Sequence, residues 1–267
     1  MRRKKSIVPL LLVPALALGV IGAAASRGMS RSRSAPVRTH GEWVKYARPG
    51  SDDSIRAYVA YPERKEKAPA VIVIHEIYGL TDWEPTVVDR LAANGYVAIV
   101  PDLLSSKHGR TPANADSARK LIGELEPDRV TADLDATYAW LGRQPAAVAD
   151  RIGVIGFCWG GGQTFRYATN NPKLRAAVVC YGPTPGEGLE RINAPVLGVY
   201  GEDDARINQG LPETAARMKA AGKRFEQKIY PGTGHGFLKP GRKGNDGPQP
   251  DKAWAHVLAF YRKHLGR

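Results

Sequence analysis

The 267 residues carry 39 Lys and Arg against 26 Asp and Glu, a formal charge of +13, with 43% hydrophobic and 24% charged residues. Such composition is too apolar for a disordered chain, and the length suits one large domain. Two cysteines, Cys158 and Cys180, exclude a disulfide scaffold.

The charge is unevenly placed. Residues 1–38 hold eight Lys and Arg and no Asp or Glu, so +13 overall leaves +5 for residues 39–267. A mildly basic domain without a basic motif argues against nucleic acid as a partner. At the start, MRRKK precedes an apolar run from Ile7 to Ala25 that ends in small residues suited to signal-peptidase cleavage. Residues 1–25 are therefore read as an export signal, with a periplasmic or secreted destination. The alternative is an uncleaved membrane anchor, because the run approaches the roughly 20 residues that span a bilayer. Membrane contact would then come only through this segment. Residues 26–38, rich in Ser and Arg, read as a flexible spacer ahead of a domain at 39–267.

Within that domain, strand-like segments occur at 43–47, 54–61, 70–75, 96–100, 152–155, 176–180, 196–200 and 226–230. The middle ones are short continuous apolar runs, which suit strands buried on both faces. Between them lie helix-like stretches near 83–94, 113–123, 128–142, 160–170, 212–221 and 252–265. This alternation predicts an α/β fold, a mostly parallel twisted sheet with helices on both faces.

After the strand-like RIGVI comes Gly156-Phe157-Cys158-Trp159-Gly160, a G-x-S-x-G pattern with Cys in place of Ser. In such a nucleophile elbow a strand turns sharply into a helix, and the flanking glycines avoid clashes with nearby backbone. The helix N-terminus favours negative charge at the nucleophile, and the N–H of Trp159 points to where an oxyanion would form. A Gly-rich turn with an inert buried Cys is the plainer alternative. Further along, PVLGVY ends in Gly201-Glu202-Asp203-Asp204, at the strand end where α/β sheets build their sites. Asp204 is the preferred acid and Asp203 the reserve. His235 follows the last strand on the Gly-rich loop PGTGHGF. Nucleophile, acid and His in that chain order, each after its own strand, is the α/β-hydrolase order.

Glu76 follows the buried strand AVIVI in HEIYGL. It should reach the same sheet edge, either to hydrogen-bond or deprotonate the thiol or to pair with a nearby Arg. The N–H of Ile77 would complete the oxyanion hole. No His, Cys or carboxylate spacing matches a metal site, and no cofactor is implied.

These blocks, HEIYGL at 75–80, PDLL at 101–104, GFCWGGG at 156–162, GEDD at 201–204 and PGTGHGF at 231–237, resemble the dienelactone hydrolase (carboxymethylenebutenolidase) family over about residues 40–265. The resemblance implies a triad of Cys158, Asp204 and His235, with Glu76 beside the nucleophile and an oxyanion hole from Ile77 and Trp159. The family's familiar members bind a lactone carboxylate through arginines after the PDL block and four residues beyond the His; Ser106 and Lys239 stand there instead. Lys107, Arg110, Lys239 and Tyr78 are the candidate substrate-binding residues. The expected activity is cleavage of a small ester or lactone through a Cys158 acyl-enzyme. The alternatives are a general carboxylesterase or thioesterase on the same scaffold, or a non-catalytic small-molecule binding protein.

Overall fold

Eight strands and the helices between them build one sheet in this computed structural model, which describes residues 37–266. The signal segment at 1–25 and the spacer up to residue 36 lie outside the described residues. The strands are β1 (Thr39–Ala47), β2 (Ser54–Pro62), β3 (Ala68–Ile74), β4 (Val97–Pro101), β5 (Ala147–Phe157), β6 (Ala176–Cys180), β7 (Val196–Gly201) and β8 (Phe225–Tyr230). Their order across the sheet is β1-β2-β4-β3-β5-β6-β7-β8. β1, β2 and β4 pair antiparallel, and every pairing from β4 to β8 is parallel. The α/β reading from the apolar runs is met.

Side chains alternate across the central strands with period two, as strand geometry requires. In β3, Ile72 and Ile74 enter the core under α4 (Pro127–Gly142) and α5 (Trp159–Asn170). Val71 and Val73 face the other way, into the core under α1 (Trp83–Ala93) and α8 (Gln249–Leu265). All seven β3 residues are buried, so their lack of polar alternation follows from helices covering both faces.

The remaining helices are α2 (Ser105–His108), α3 (Ala115–Gly123), α6 (Ala205–Asn208) and α7 (Leu211–Ala220). Single-turn α2 and α6 have no periodicity to read in the sequence. β5 begins at Ala147, ahead of the apolar run, because Ala147 pairs with Ala68 before an irregularity restores the register at Ala70↔Ile152. The intervening Ala149, Asp150 and Arg151 are exposed. The parallel strands end together at one edge, and the segments leaving β3, β4, β5, β7 and β8 carry the residues singled out above.

Candidate active site

Between β5 and α5 the backbone turns at Cys158, which has φ 56° and ψ −116°. A positive φ in a non-glycine residue costs on the order of 1–3 kcal/mol and persists only where its surroundings fix it. Here the fixing groups are backbone. The Cys158 N–H donates to the Cys180 carbonyl at 3.0 Å, and the Gly162 N–H donates to the Cys158 carbonyl at 3.2 Å. A Cβ on Gly156 would lie 2.1 Å from the Gly160 carbonyl oxygen, and one on Gly160 would lie 2.3 Å from the His75 carbonyl oxygen. Any side chain at either place would push α5 off the sheet. The half-buried Cys158 is thus held at the N-terminus of a twelve-residue helix.

His235 stands on the loop after β8, its Nδ1 2.5 Å from Oδ2 of Asp204. Asp204 is buried in the turn after β7, whereas Asp203 is exposed and pairs with Lys243 at 2.7 Å. The two loops are tied by Asp203 N–H to the Thr233 carbonyl and Glu202 N–H to the Tyr230 carbonyl. The His235 pKa is raised above its ordinary value of 6.5, chiefly by its hydrogen bond with Cys158; burial opposes this and Asp204 adds to it. His235 is therefore hydrogen-bonded to Asp204, with Cys158 the first cause of its raised pKa.

Glu76 is buried, and its Oε2 accepts from Lys239 Nζ at 3.0 Å. Lys239 also lies over the Trp83 ring, 5.1 Å from its centre. The partner of Glu76 is thus a lysine rather than an arginine. The chain around Glu76 closes a tight turn, with Gly79 N–H donating to the Glu76 carbonyl at 3.1 Å and Ile77 half-exposed between them. A latch secures that turn: Thr111 accepts from the Leu80 N–H and donates to Asp102, while the second Asp102 oxygen accepts the Thr111 N–H at 2.7 Å.

Ser106 does not stand free. It is buried, donates to Asp133 at 2.7 Å and accepts from Arg129 at 3.2 Å, within an ion-pair cluster that includes Arg48 and Asp53. Lys107 and Arg110 are exposed without a side-chain hydrogen bond or ion pair among the described residues, and Tyr78 is half-buried. Among the described residues, no group of three His, Cys, Asp or Glu could hold a metal ion.

Two residues escape a reading by motif. His75 is buried with its ring stacked on Trp159, centroids 5.6 Å apart and planes 13° from parallel. Its Nδ1 lies 2.9 Å from the Glu76 carbonyl and its Nε2 3.3 Å from the Leu103 N–H, which together specify the Nδ1–H tautomer. Tyr181, at φ 40°, packs edge-on against His235 at 5.2 Å, and burial pushes its phenol pKa well up. A lone aromatic after an apolar strand carries no local signal. His75 had one, its place beside Glu76.

Residues 55–265 match the model of the dienelactone hydrolase family. The chain belongs to that family. A protein of Salmonella typhimurium, provisionally named carboxymethylenebutenolidase, is 34% identical over 82% of this chain and 86% of its own. A Bradyrhizobium protein, provisionally named 2-oxo-3-(5-oxofuran-2-ylidene)propanoate lactonase, is 31% identical over 84% of this chain and 94% of its own. Among solved structures, a provisionally assigned dienelactone hydrolase from Klebsiella pneumoniae shares 31% identity and a TM-score of 0.75, covering 85% of this chain and 99% of its own. The Klebsiella structure shares the fold described above, and together these relatives place the chain among hydrolases of esters or lactones.

Proposed function

We propose that this dienelactone hydrolase family member cleaves small esters or lactones with a stable leaving group, such as an enolate or phenolate, through an acyl-enzyme on Cys158. The observation that supports this most is the chain from Cys158 through His235 to Asp204 at one sheet edge. Sulfur attacks the carbonyl carbon, and the developing oxyanion is met by the N–H groups of Ile77 and Trp159. The C–O bond then breaks, and the proton that Cys158 gave to His235 leaves with the departing enolate or phenolate, so the ring is neutral for deacylation. In deacylation, His235 takes a proton from water as the oxygen attacks the thioester, then returns it as the thiolate leaves. Asp204 holds the ring and stabilises its charged form.

Lys239 gives the site its polarity. Its charge is met by Glu76, so a substrate carboxylate approaching Lys239 competes with Glu76 for the same ammonium. The Bradyrhizobium relative is named for a lactone that bears a carboxylate, which fits such an exchange. The burial of Ser106 in the α4 cluster favours a second reading, in which neutral esters are taken as readily, because no second cation is offered from that position.

The test is hydrolysis of a panel of enol lactones and aryl esters, with mass spectrometry of the quenched enzyme. The expected result is turnover with an acyl mass increment on Cys158, and loss of both in Cys158→Ala. Undiminished turnover in Cys158→Ala would sink the proposal. Export through residues 1–25 belongs to the same proposal, and N-terminal sequencing of the mature chain checks it.

A further inference from the structure

The other edge of the sheet carries a feature that the proposed chemistry leaves unused. A cavity of about 560 Å³ opens where β7 and β8 begin, between the C-terminal ends of α7 and α8. A second, of about 530 Å³, adjoins it and shares Pro195, Arg224, Lys263 and His264. Together they form a groove bordered by six cations, Lys173, Arg175, Lys219, Lys223, Arg224 and Lys263. The one carboxylate lining it, Glu226, is ion-paired to Lys228 at 3.3 Å. None of the six has an ion pair or side-chain hydrogen bond among the described residues. Residues 39–267 carry only +5 in all, so this groove concentrates as much positive charge as the domain has in excess.

Helix ends explain only part of it. Lys219 and Lys263 lie in the last turns of α7 and α8, where cations complement the helix dipole. Lys223 and Arg224 lie beyond α7 in the turn ahead of β8, and Lys173 and Arg175 lie ahead of β6. Four cations from non-helical segments, converging with only Glu226 among them in the lining, keep a mutual repulsion that an anion would relieve. The floor between them is apolar, formed by Pro195, Phe225 and Phe260. His264 sits among them with its ring 4.7 Å from Phe260.

We propose that this groove is a binding site for a phosphate-bearing anion, remote from Cys158. Arg175 and Arg224 supply planar forks that match phosphate oxygens, and the lysines supply point charges around them. A phosphate, with more charge and more acceptor oxygens than a carboxylate, uses more of these donors at once. The groove faces away from Cys158 by the length of β7, about 20 Å at 3.3 Å per residue, so occupancy leaves the substrate edge open. The phosphate has two sources, a soluble phosphate ester or the headgroups of an anionic bilayer. Phe225 and Phe260 pack into the floor rather than standing out as a stacking platform, which disfavours single-stranded nucleic acid.

His264 is the reporter. Burial holds its pKa below 6.5, with Lys263 and Arg224 adding to the effect and Glu226 opposing it. The experiment follows the His264 imidazole by NMR in the full chain, with pyrophosphate against sodium chloride of equal ionic strength. Sedimentation with phosphatidylglycerol or phosphatidylcholine vesicles is the second arm. The expected result is a rise in the His264 pKa with pyrophosphate beyond that with chloride. In Arg224→Glu/Lys263→Glu the affinity should fall by about tenfold or more, with ester hydrolysis unchanged. Phosphatidylglycerol binding lost in that variant assigns the phosphate to lipid headgroups, and pyrophosphate binding alone assigns it to a soluble ester. Equal effects of pyrophosphate and chloride, with vesicle binding indifferent to the charge reversal, overturn the site. Tighter binding of a single-stranded oligonucleotide than of either probe overturns the ligand class.

Discussion

Nδ1 of His235 lies 2.5 Å from Oδ2 of the buried Asp204, and Cys158 is the leading cause of the raised pKa of the same ring. The imidazole is thus held between two groups that become more favourable to it when it is charged.

The pH dependence follows from the sign of that effect. A His pKa raised on folding contributes stability that is fully present below the unfolded value near 6.5 and is lost as pH rises through the folded value. For catalysis the order reverses, because deacylation needs the neutral ring. Acylation of Cys158 removes the leading cause of the rise, so the acidic limb of kcat should have its inflection below the NMR-titrated pKa of His235 in the free enzyme. Because Cys158 is the leading cause, Cys158→Ala should lower the NMR-titrated pKa of His235, and Asp204→Asn should lower it less while cutting kcat by about 10²–10⁴-fold. An unchanged His235 titration in Cys158→Ala would contradict the hydrogen-bonded chain.

The elbow predicts a steric failure. In Gly160→Ala the new methyl would begin 2.3 Å from the His75 carbonyl oxygen and 2.5 Å from that of Ile74, and these are backbone atoms that cannot swing aside as a side chain would. Overpacking of this kind costs about 1–3 kcal/mol or more, so thermal unfolding should move down by about 2–12 °C, and activity should be lost. Gly222→Ala is the control. Gly222 has φ 67° but nothing within 4 Å of its Cβ, so it carries only the backbone cost.

How much of this was legible in the sequence depends on distance along the chain. Ile72, Val154 and Val178 announce their strands because a strand covered on both faces needs an unbroken apolar run. Cys158 and Asp204 stand out because each follows such a strand, whereas His235 stands out by its Gly-rich loop after the largely exposed β8. The pairing of Glu76 with Lys239 spans 163 residues, and neither residue carries a local mark of the other. Ser106 is similar. Its turn toward Asp133 depends on how α4 packs beside α2, which no spacing encodes. The basic groove was hidden for the same reason, because its cations come from three separated segments.

His75 carries a prediction about positioning. Its ring bridges the Glu76 carbonyl and the Leu103 N–H while stacking on Trp159, and so joins the two segments whose N–H groups flank the proposed oxyanion. Removing it in His75→Ala leaves the buried Leu103 N–H unmatched, at about 1–3 kcal/mol, while the Glu76 carbonyl keeps only the Gly79 N–H. The expected result is a kcat lowered by about tenfold or more with KM little changed, since the loss is felt where the oxyanion forms. Gln offers one donor and one acceptor, so His75→Gln should recover part of kcat. Equal losses in KM and kcat, with no recovery by Gln, would show that the ring serves only packing.

Lys239 is the residue on which substrate charge should turn. It is largely covered and ion-paired to Glu76, so Lys239→Met leaves a buried carboxylate without its counter-charge, a change that costs about 3–5 kcal/mol in a fully buried pair and less here because Lys239 retains some exposure. Adding Glu76→Gln removes the orphaned charge, and the double variant should regain most of the lost thermal stability. Selectivity is read separately, from kcat/KM for a carboxylate-bearing enol lactone against a neutral lactone with the same leaving group. A single lysine contact is a charge-assisted hydrogen bond of about 1.5–3 kcal/mol, and breaking the pair with Glu76 offsets part of it. The wild-type preference for the carboxylate should therefore stay below about a hundredfold. It should shrink at high salt, because the exposed Lys107 and Arg110 act only through a screened field. In Lys239→Met the preference should vanish. A large preference that survives both salt and Lys239→Met would locate the carboxylate at another cation, with the Arg129 and Arg48 cluster beside Ser106 as the first place to look.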